Sequence, residues 1–221
     1  MDPNRKLWND GHQKLNRALA AGEREKAIEL FLKQHAMVHS GKMAKSGLWS
    51  FEDEILSELT NDQIRIIPAG GEHSIAWILL HIARIEDITM NMLVAGTAQL
   101  FIRDGWAKKM NVDIVHSANK MDDESVARLS ANIDISALKA YRIAVGRRTR
   151  EIVKKIRADS FKQKVDPTRM QKVMNEGAVA KEAVEIINYW STRTIAGLLL
   201  MPPTRHCILH LNEALRIKQR L

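Results

Sequence analysis

Ser74 and Gly96 bracket the segment that most constrains how this chain can fold. A serine side chain accepts from the free amides that open a helix, and glycine takes the left-handed turn that closes one. Between them, Ile75 to about Ala95 is apolar at helical spacing. Nowhere in the 221 residues do apolar and polar side chains alternate for long with β-branched enrichment. Five prolines and 11 glycines are few for a turn-dense all-β fold. With 45% hydrophobic and 27% charged residues the chain is not compositionally disordered, and its length suffices for one large domain with its own core. The expected class is all-α, with residues 1–221 forming a single helical domain.

Four major helices with shorter pieces between them are predicted, drawn from the following helical stretches. From Glu23, Ala27, Leu30, Phe31, Gln34, Met37 and Val38 share a face that ends near Ser40-Gly41. The Ile75 to Ala95 helix follows, then one over 134–158, then Glu182 to Leu200, which Pro202-Pro203-Thr204 is expected to break before a last helix from Arg205 to about Arg220. Shorter pieces run from Trp49 to Leu59, from Thr60 (whose capping box with Gln63 is explicit), from Asp122 and from Pro167 to Asn175. Residues 1–22 are polar and basic, with Gly11 and Gly22 as interruptions, and read as a short helix or an arm. The 97–121 and 159–182 stretches read as connections, and the sequence leaves open whether either covers a site as a lid.

The charge is the compositional oddity: 34 Lys+Arg against 26 Asp+Glu give +8, with a pI near 9.7. Much of it lies on the 134–158 helix, where Lys139, Arg142, Arg147, Arg150, Lys154 and Arg157 form one broad stripe opposite Leu138, Tyr141, Val145, Ile152 and Ile156. The stripe lacks interleaved aromatics and any groove-reading motif, so a solvated outer face is expected over a nucleic-acid site. One cysteine, Cys207, excludes a disulfide framework and a Cys-rich zinc module, and it reads as a small core residue. No apolar run approaches the roughly 20 residues a spanning helix needs, and the start has no apolar signal region, so a cytoplasmic protein without a membrane span is expected.

Eight histidines carry the chemistry. Two pairs, His35/His39 and His206/His210, are four apart, which puts both rings on one helix face where they can hold one divalent ion. His35 and His39 close a helix, where imidazolium complements the negative end of the dipole, and capping is their expected role. His81 sits deep in the apolar helix and must be hydrogen-bonded to a backbone carbonyl or coordinated. Trp77, four residues earlier, is expected to stack beside it. Glu86 points away from His81, toward an ion pair elsewhere. Glu213, on nearly the face of His206 and His210, is a supporting partner, general base or fourth ligand, or else a surface carboxylate pairing with Arg216 or Arg220. His12, His73 and His116 are assigned no role.

The segment Gly71-Glu-His-Ser-Ile-Ala-Trp-Ile-Leu-Leu-His81-Ile-Ala-Arg-Ile-Glu86-Asp resembles the second helix of the DinB/YfiT-like superfamily. Thr204-Arg-His206-Cys-Ile-Leu-His210-Leu-Asn-Glu resembles its last core helix, and a more diffuse similarity covers about residues 24–220. The resemblance implies an up-down-down-up four-helix bundle with additional short helices, and a divalent ion (nickel, zinc, iron or manganese) held by His81, His206 and His210. It further implies a metal-dependent enzyme resembling thiol S-transferases that use low-molecular-weight thiols such as bacillithiol or mycothiol. A metal-activated thiolate or water would attack a small electrophile, in a protein often found as a homodimer and tied to stress or detoxification. The rival expectation is a catalytically silent dimer or a polyanion-binding stress protein. No catalytic residue is assigned.

Overall fold

The computed structural model describes residues 2–221, and among them the chain is helical, with one isolated antiparallel bridge between Lys164 and Thr194. The all-α expectation holds. In chain order the first helices are α1 (Pro3–Ala21), α2 (Arg24–Met37), α3 (Gly41–Ala44), α4 (Phe51–Leu56) and α5 (Asn61–Arg65). Then come α6 (Ile75–Asp87), continued by a π-helical stretch Ile88–Ala95, and the short α7 (Leu100–Arg103) and α8 (Trp106–Met110). The rest are α9 (Asp123–Asn132), α10 (Ile135–Lys155), α11 (Pro167–Asn175), α12 (Val184–Ser191), α13 (Ile195–Leu200) and α14 (Cys207–Lys218).

Every residue of α6 is buried. It packs against α10 and α14, with α5 and α9 at its flanks, and the main core joins Leu79, Leu80, Leu138, Tyr141, Leu211 and Ala214. A helix buried all round must find a partner for each polar group it carries. Arg84 donates to the carbonyl of Val115 at 2.7 Å, and Asp87 accepts from Tyr141 Oη at 2.7 Å and from the Leu100 and Phe101 amides that open α7. His81 and Glu86 are treated below. Ser74 caps α6 and Gly96 ends its π extension in the left-handed region, as the sequence predicts. The capping box at Thr60 and Gln63 is also present.

Five expectations change. Residues 3–21 are a full helix, capped by Asp2 with Pro3 in the first turn, and it packs along α2 through Leu15, Ala18 and Leu19. Its apolar stripe is too sparse to stand out in a basic segment. The 97–121 connection contains two helical turns, and α8 buries Met110 in the main core. The Glu182–Leu200 helix is interrupted at residues 192–194, where Thr194 caps a new helix.

Pro202-Pro203 does not break the path that follows. The backbone widens into a π-helical stretch, Met201–His206, that runs directly into α14. Prolines leave carbonyls one turn earlier without donors, and side chains replace them. Thr204 Oγ1 donates to Leu200 O at 2.8 Å and Leu199 O at 3.0 Å, and His12 Nε2 donates to Leu200 O at 2.9 Å.

The basic stripe on α10 is also only partly an outer face. Arg142 is buried, paired with Glu52, and donates to Val38 O at 2.7 Å. Arg150 donates to Leu32 O at 2.8 Å, and Arg147 reaches Lys42 O and Met43 O. These guanidiniums supply donors to carbonyls of α2 and α3, so much of this charge knits the fold together.

Candidate metal centre

Two groups of side chains each bring three donor atoms within 4.8 Å of one another: His81, His206 and His210, and His35, His39 and Glu86. The first combines α6 with the π stretch and α14. His81 Nε2 lies 3.2 Å from His206 Nε2, and the His210 ring stands edge-on to both, with centroids 4.8 Å and 4.5 Å away.

Hydrogen bonds on the far side of the rings decide which nitrogens are bare. His81 Nδ1 donates to Ser117 O at 2.8 Å, and a carbonyl can only accept. Burial, with the neighbouring His210 adding to it, pushes the His81 pKa down to about 3, so the ring is neutral and its Nε2 is an exposed lone pair. His210 Nδ1 donates to Glu213 Oε2 at 3.0 Å, which likewise leaves its Nε2 as the free donor atom. Burial holds the His206 pKa well below the usual value, aided by His81 and His210, and its buried Nδ1 has no hydrogen-bond partner. With its proton on Nδ1, His81 accepts at Nε2 from His206 Nε2 at 3.2 Å, and that separation is also close to the roughly 3.3 Å between two nitrogens on one tetrahedral ion.

Glu213 is not a surface carboxylate paired with Arg216 or Arg220. It accepts from both His210 and His73, and those bonds outweigh its partial burial to bring its pKa down to about 2. His73, given no role from sequence, stacks on Trp77 at 3.6 Å, and Trp77 in turn stacks on His81 at 4.9 Å. No motif announces His73, because it precedes the helix and meets Glu213 only across 140 residues.

The three imidazoles form the floor of a cavity of about 510 Å³. Its walls are Trp77 and Ile85 of α6, Glu185, Ile186, Tyr189 and Trp190 of α12, and Met201 with Pro202 of the π stretch, and Glu185 is paired with Lys120 at 3.3 Å. Asn119 represents the 97–121 connection at this rim, and α12 rather than the 159–182 connection covers the cavity. No lysine or arginine lines it. Cys207 is buried away from it, and burial pushes its thiol pKa up to about 12, which leaves no nucleophile there.

His35 and His39 do not serve as exposed caps. Both are fully buried, and their Nε2 atoms lie 2.9 Å from Glu86 Oε1 and Oε2 respectively. His39 Nδ1 packs against Gly146 of α10, where an added Cβ would come within 2.9 Å of it. A proton on that nitrogen would point at a C–H group, so the N–H belongs on Nε2, donating to Glu86. Burial lowers the pKa of both rings, that of His39 to about 3. Burial would raise Glu86, but the two imidazoles on its oxygens hold it well below the usual carboxylate range.

Residues 52–214 match the family model of the DinB superfamily. The chain belongs to the DinB superfamily. The matched stretch contains His81, His206, His210, Glu213 and Glu86, while His35 and His39 precede it. No curated protein matches the chain. Among the described residues of this DinB chain, no helix is long and apolar enough to cross a membrane.

Proposed function

We propose that the chain is a divalent-metal-dependent enzyme of the DinB superfamily that joins a thiol, or water, to a small apolar electrophile. His81, His206 and His210 hold the ion. The observation that carries this is the convergence of three ring nitrogens on a cavity floor, two of them stripped of their proton by bonds to Ser117 O and Glu213. Three protein ligands with a cavity in front leave a position for substrate, the arrangement of catalytic sites as opposed to closed structural ones. A divalent ion held there acts as a Lewis acid and lowers the pKa of a thiol or water toward neutrality.

The protein's own residues do the rest. Ser117 O and Glu213 fix the ring orientations, and outer partners of this kind are worth 10- to 100-fold in metal affinity by the general rule. Trp77, Tyr189, Trp190 and Met201 exclude water and offer flat, apolar surface, so the walls select an uncharged electrophile with an aromatic or aliphatic body. With no cation in the lining, an anionic thiol gains its hold at the ion and not from the walls.

The test is metal content. The untagged chain is expected to purify with about one equivalent of a divalent ion or to take one up, and His206→Ala is expected to lose it. Content unchanged by that substitution contradicts the proposal. Thiol consumption with an aromatic electrophile, measured with and without the ion, then separates an active enzyme from a silent metal protein.

A further inference from the structure

A second cavity, of about 500 Å³, shares no lining residue with the one above. It lies where the end of α10 meets the π stretch of α6 and the start of α11. Five cationic side chains line it, Arg148, Lys155, Arg157, Lys164 and Arg169, against one carboxylate, Asp166. Two of the five are neutralised from outside, Arg148 by Glu151 and Arg157 by Asp159. Asp166 Oδ1 is committed to the Thr168 amide and hydroxyl at the head of α11. Lys155, Lys164 and Arg169 form no ion pair within 4.0 Å among the described residues, although the charge of Arg169 helps hold the Asp166 pKa down.

Arg169 is held ready. Its Nη1 donates to Leu93 O at 2.9 Å and Val94 O at 2.8 Å. Its guanidinium lies over Gly96, where a Cβ would meet Cζ, Nε and Nη2 at 3.0 Å. The Nε–Nη2 edge has no protein partner, and that edge is the fork that grips an oxyanion with two parallel bonds. Arg148 is fixed as well: its Nε donates to Asn91 Oδ1 at 3.1 Å, and Asn91 Nδ2 is anchored on Asp87 at 2.8 Å. Beside these cations the cavity is floored by Val94, Ile152, Ile156 and Ile195.

We propose that this cavity is a binding site for a small phosphate monoester with an apolar body. Arg169 takes the phosphoryl oxygens on its free edge, Lys155 and Lys164 balance the charge, and the isoleucines receive the organic part. A polymer is disfavoured because the cavity offers one fixed guanidinium edge without a partner, that of Arg169, and the apolar floor suits a body that a bare ion lacks. This site does not depend on the metal-centre proposal.

Calorimetric titration of the full chain with phenyl phosphate in 150 mM salt tests it. The expectation is 1:1 binding, tighter than inorganic phosphate and weakened about tenfold or more by Arg169→Gln, since a bond to a charged group is lost. Lys155→Ala/Lys164→Ala removes two unpaired surface cations and is expected to weaken binding similarly, so a folding defect in the arginine variant cannot mask the result. His206→Ala is expected to leave the affinity unchanged. The proposal is overturned by no binding, by affinity indifferent to both basic-site variants, or by loss in His206→Ala alone, which would move the phosphate to the metal centre. It is equally overturned if phenyl and inorganic phosphate bind alike. Two further results overturn it: single-stranded DNA binding the lysine face while phenyl phosphate does not, or flotation with phosphatidic acid vesicles that needs the same lysines.

Discussion

His35/His39 and His206/His210 are the same motif, two histidines four apart on a helix, and the fold gives them opposite chemistry. At His206/His210 the third group is another imidazole, His81, and bonds to Ser117 O and Glu213 put protons on the far nitrogens of His81 and His210, leaving lone pairs facing one another beneath a cavity. At His35/His39 the third group is Glu86, each ring faces one of its oxygens at 2.9 Å, and the far nitrogen of His39 has no hydrogen-bond partner and packs beside Gly146. One cluster keeps its carboxylate, Glu213, on the outer side of a ring and opens onto a cavity; the other surrounds a buried anion already satisfied by two N–H donors. Spacing alone does not tell the pairs apart; what faces their Nε2 atoms, another imidazole or a carboxylate that accepts from them, does.

The largest effect that can break this contrast is Glu86→Ala. It leaves two buried imidazoles facing a void, and removing one member of a buried pair costs about 3–5 kcal/mol. Urea denaturation should show that loss, while the folded fraction retains its metal. A loss of metal at unchanged stability would reverse the roles of the two clusters.

Glu213→Gln comes next. Its carboxylate orients both His210 and His73, so metal affinity should fall about 10- to 100-fold with little change in the stability of the metal-free chain. An unchanged affinity by competitive chelator titration would remove Glu213 from the centre.

Gly146→Ala sharpens the other side. Alanine gains about 1 kcal/mol in a helix interior, but here its Cβ would meet His39 Nδ1 and Met43 Cγ at 2.9 Å. Overpacking of this kind costs about 1–3 kcal/mol, and both neighbours are buried, so a lower Tm is expected. A raised Tm would mean the His39 ring is free to move.

The least specific test is pH. Folded His35 and His39 have lowered pKa values, so the unfolded chain binds more protons once pH falls below its ordinary histidine value of about 6.5. Stability of the chelator-treated chain is therefore present near neutrality and declines as pH falls, with His39 contributing down to about 3. Depressed Glu86 adds to the same decline below the ordinary carboxylate value of about 4.5. Urea midpoints that stay flat between pH 7 and 4 would contradict buried neutral imidazoles.

What was legible in the sequence follows the range of the interaction. Ser74, Gly96 and the Thr60 capping box act within a few residues, and each was readable from local chemistry. His206 and His210 are candidates by spacing and His81 by its place in an apolar helix, and the family resemblance joins the three. The Glu86 cluster was hidden because a histidine pair at a helix end looks the same whether it faces water or a carboxylate 47 residues away. Helix α1 was hidden by its polar face, and the π stretch by prolines whose freed carbonyls are rescued by Thr204 and His12. The arginines of α10 looked solvated because their acceptors are backbone carbonyls on α2 and α3, which no side-chain pattern displays.

The most direct measurement is an anomalous difference map, recorded at the absorption edge of the ion found in the untagged protein. One peak within about 2.2 Å of the facing nitrogens of His81, His206 and His210, with none between His35, His39 and Glu86, is the predicted result. A peak at Glu86, or an empty floor beneath Trp77 and Tyr189 in crystals grown with that ion, would contradict the division of labour between the two clusters.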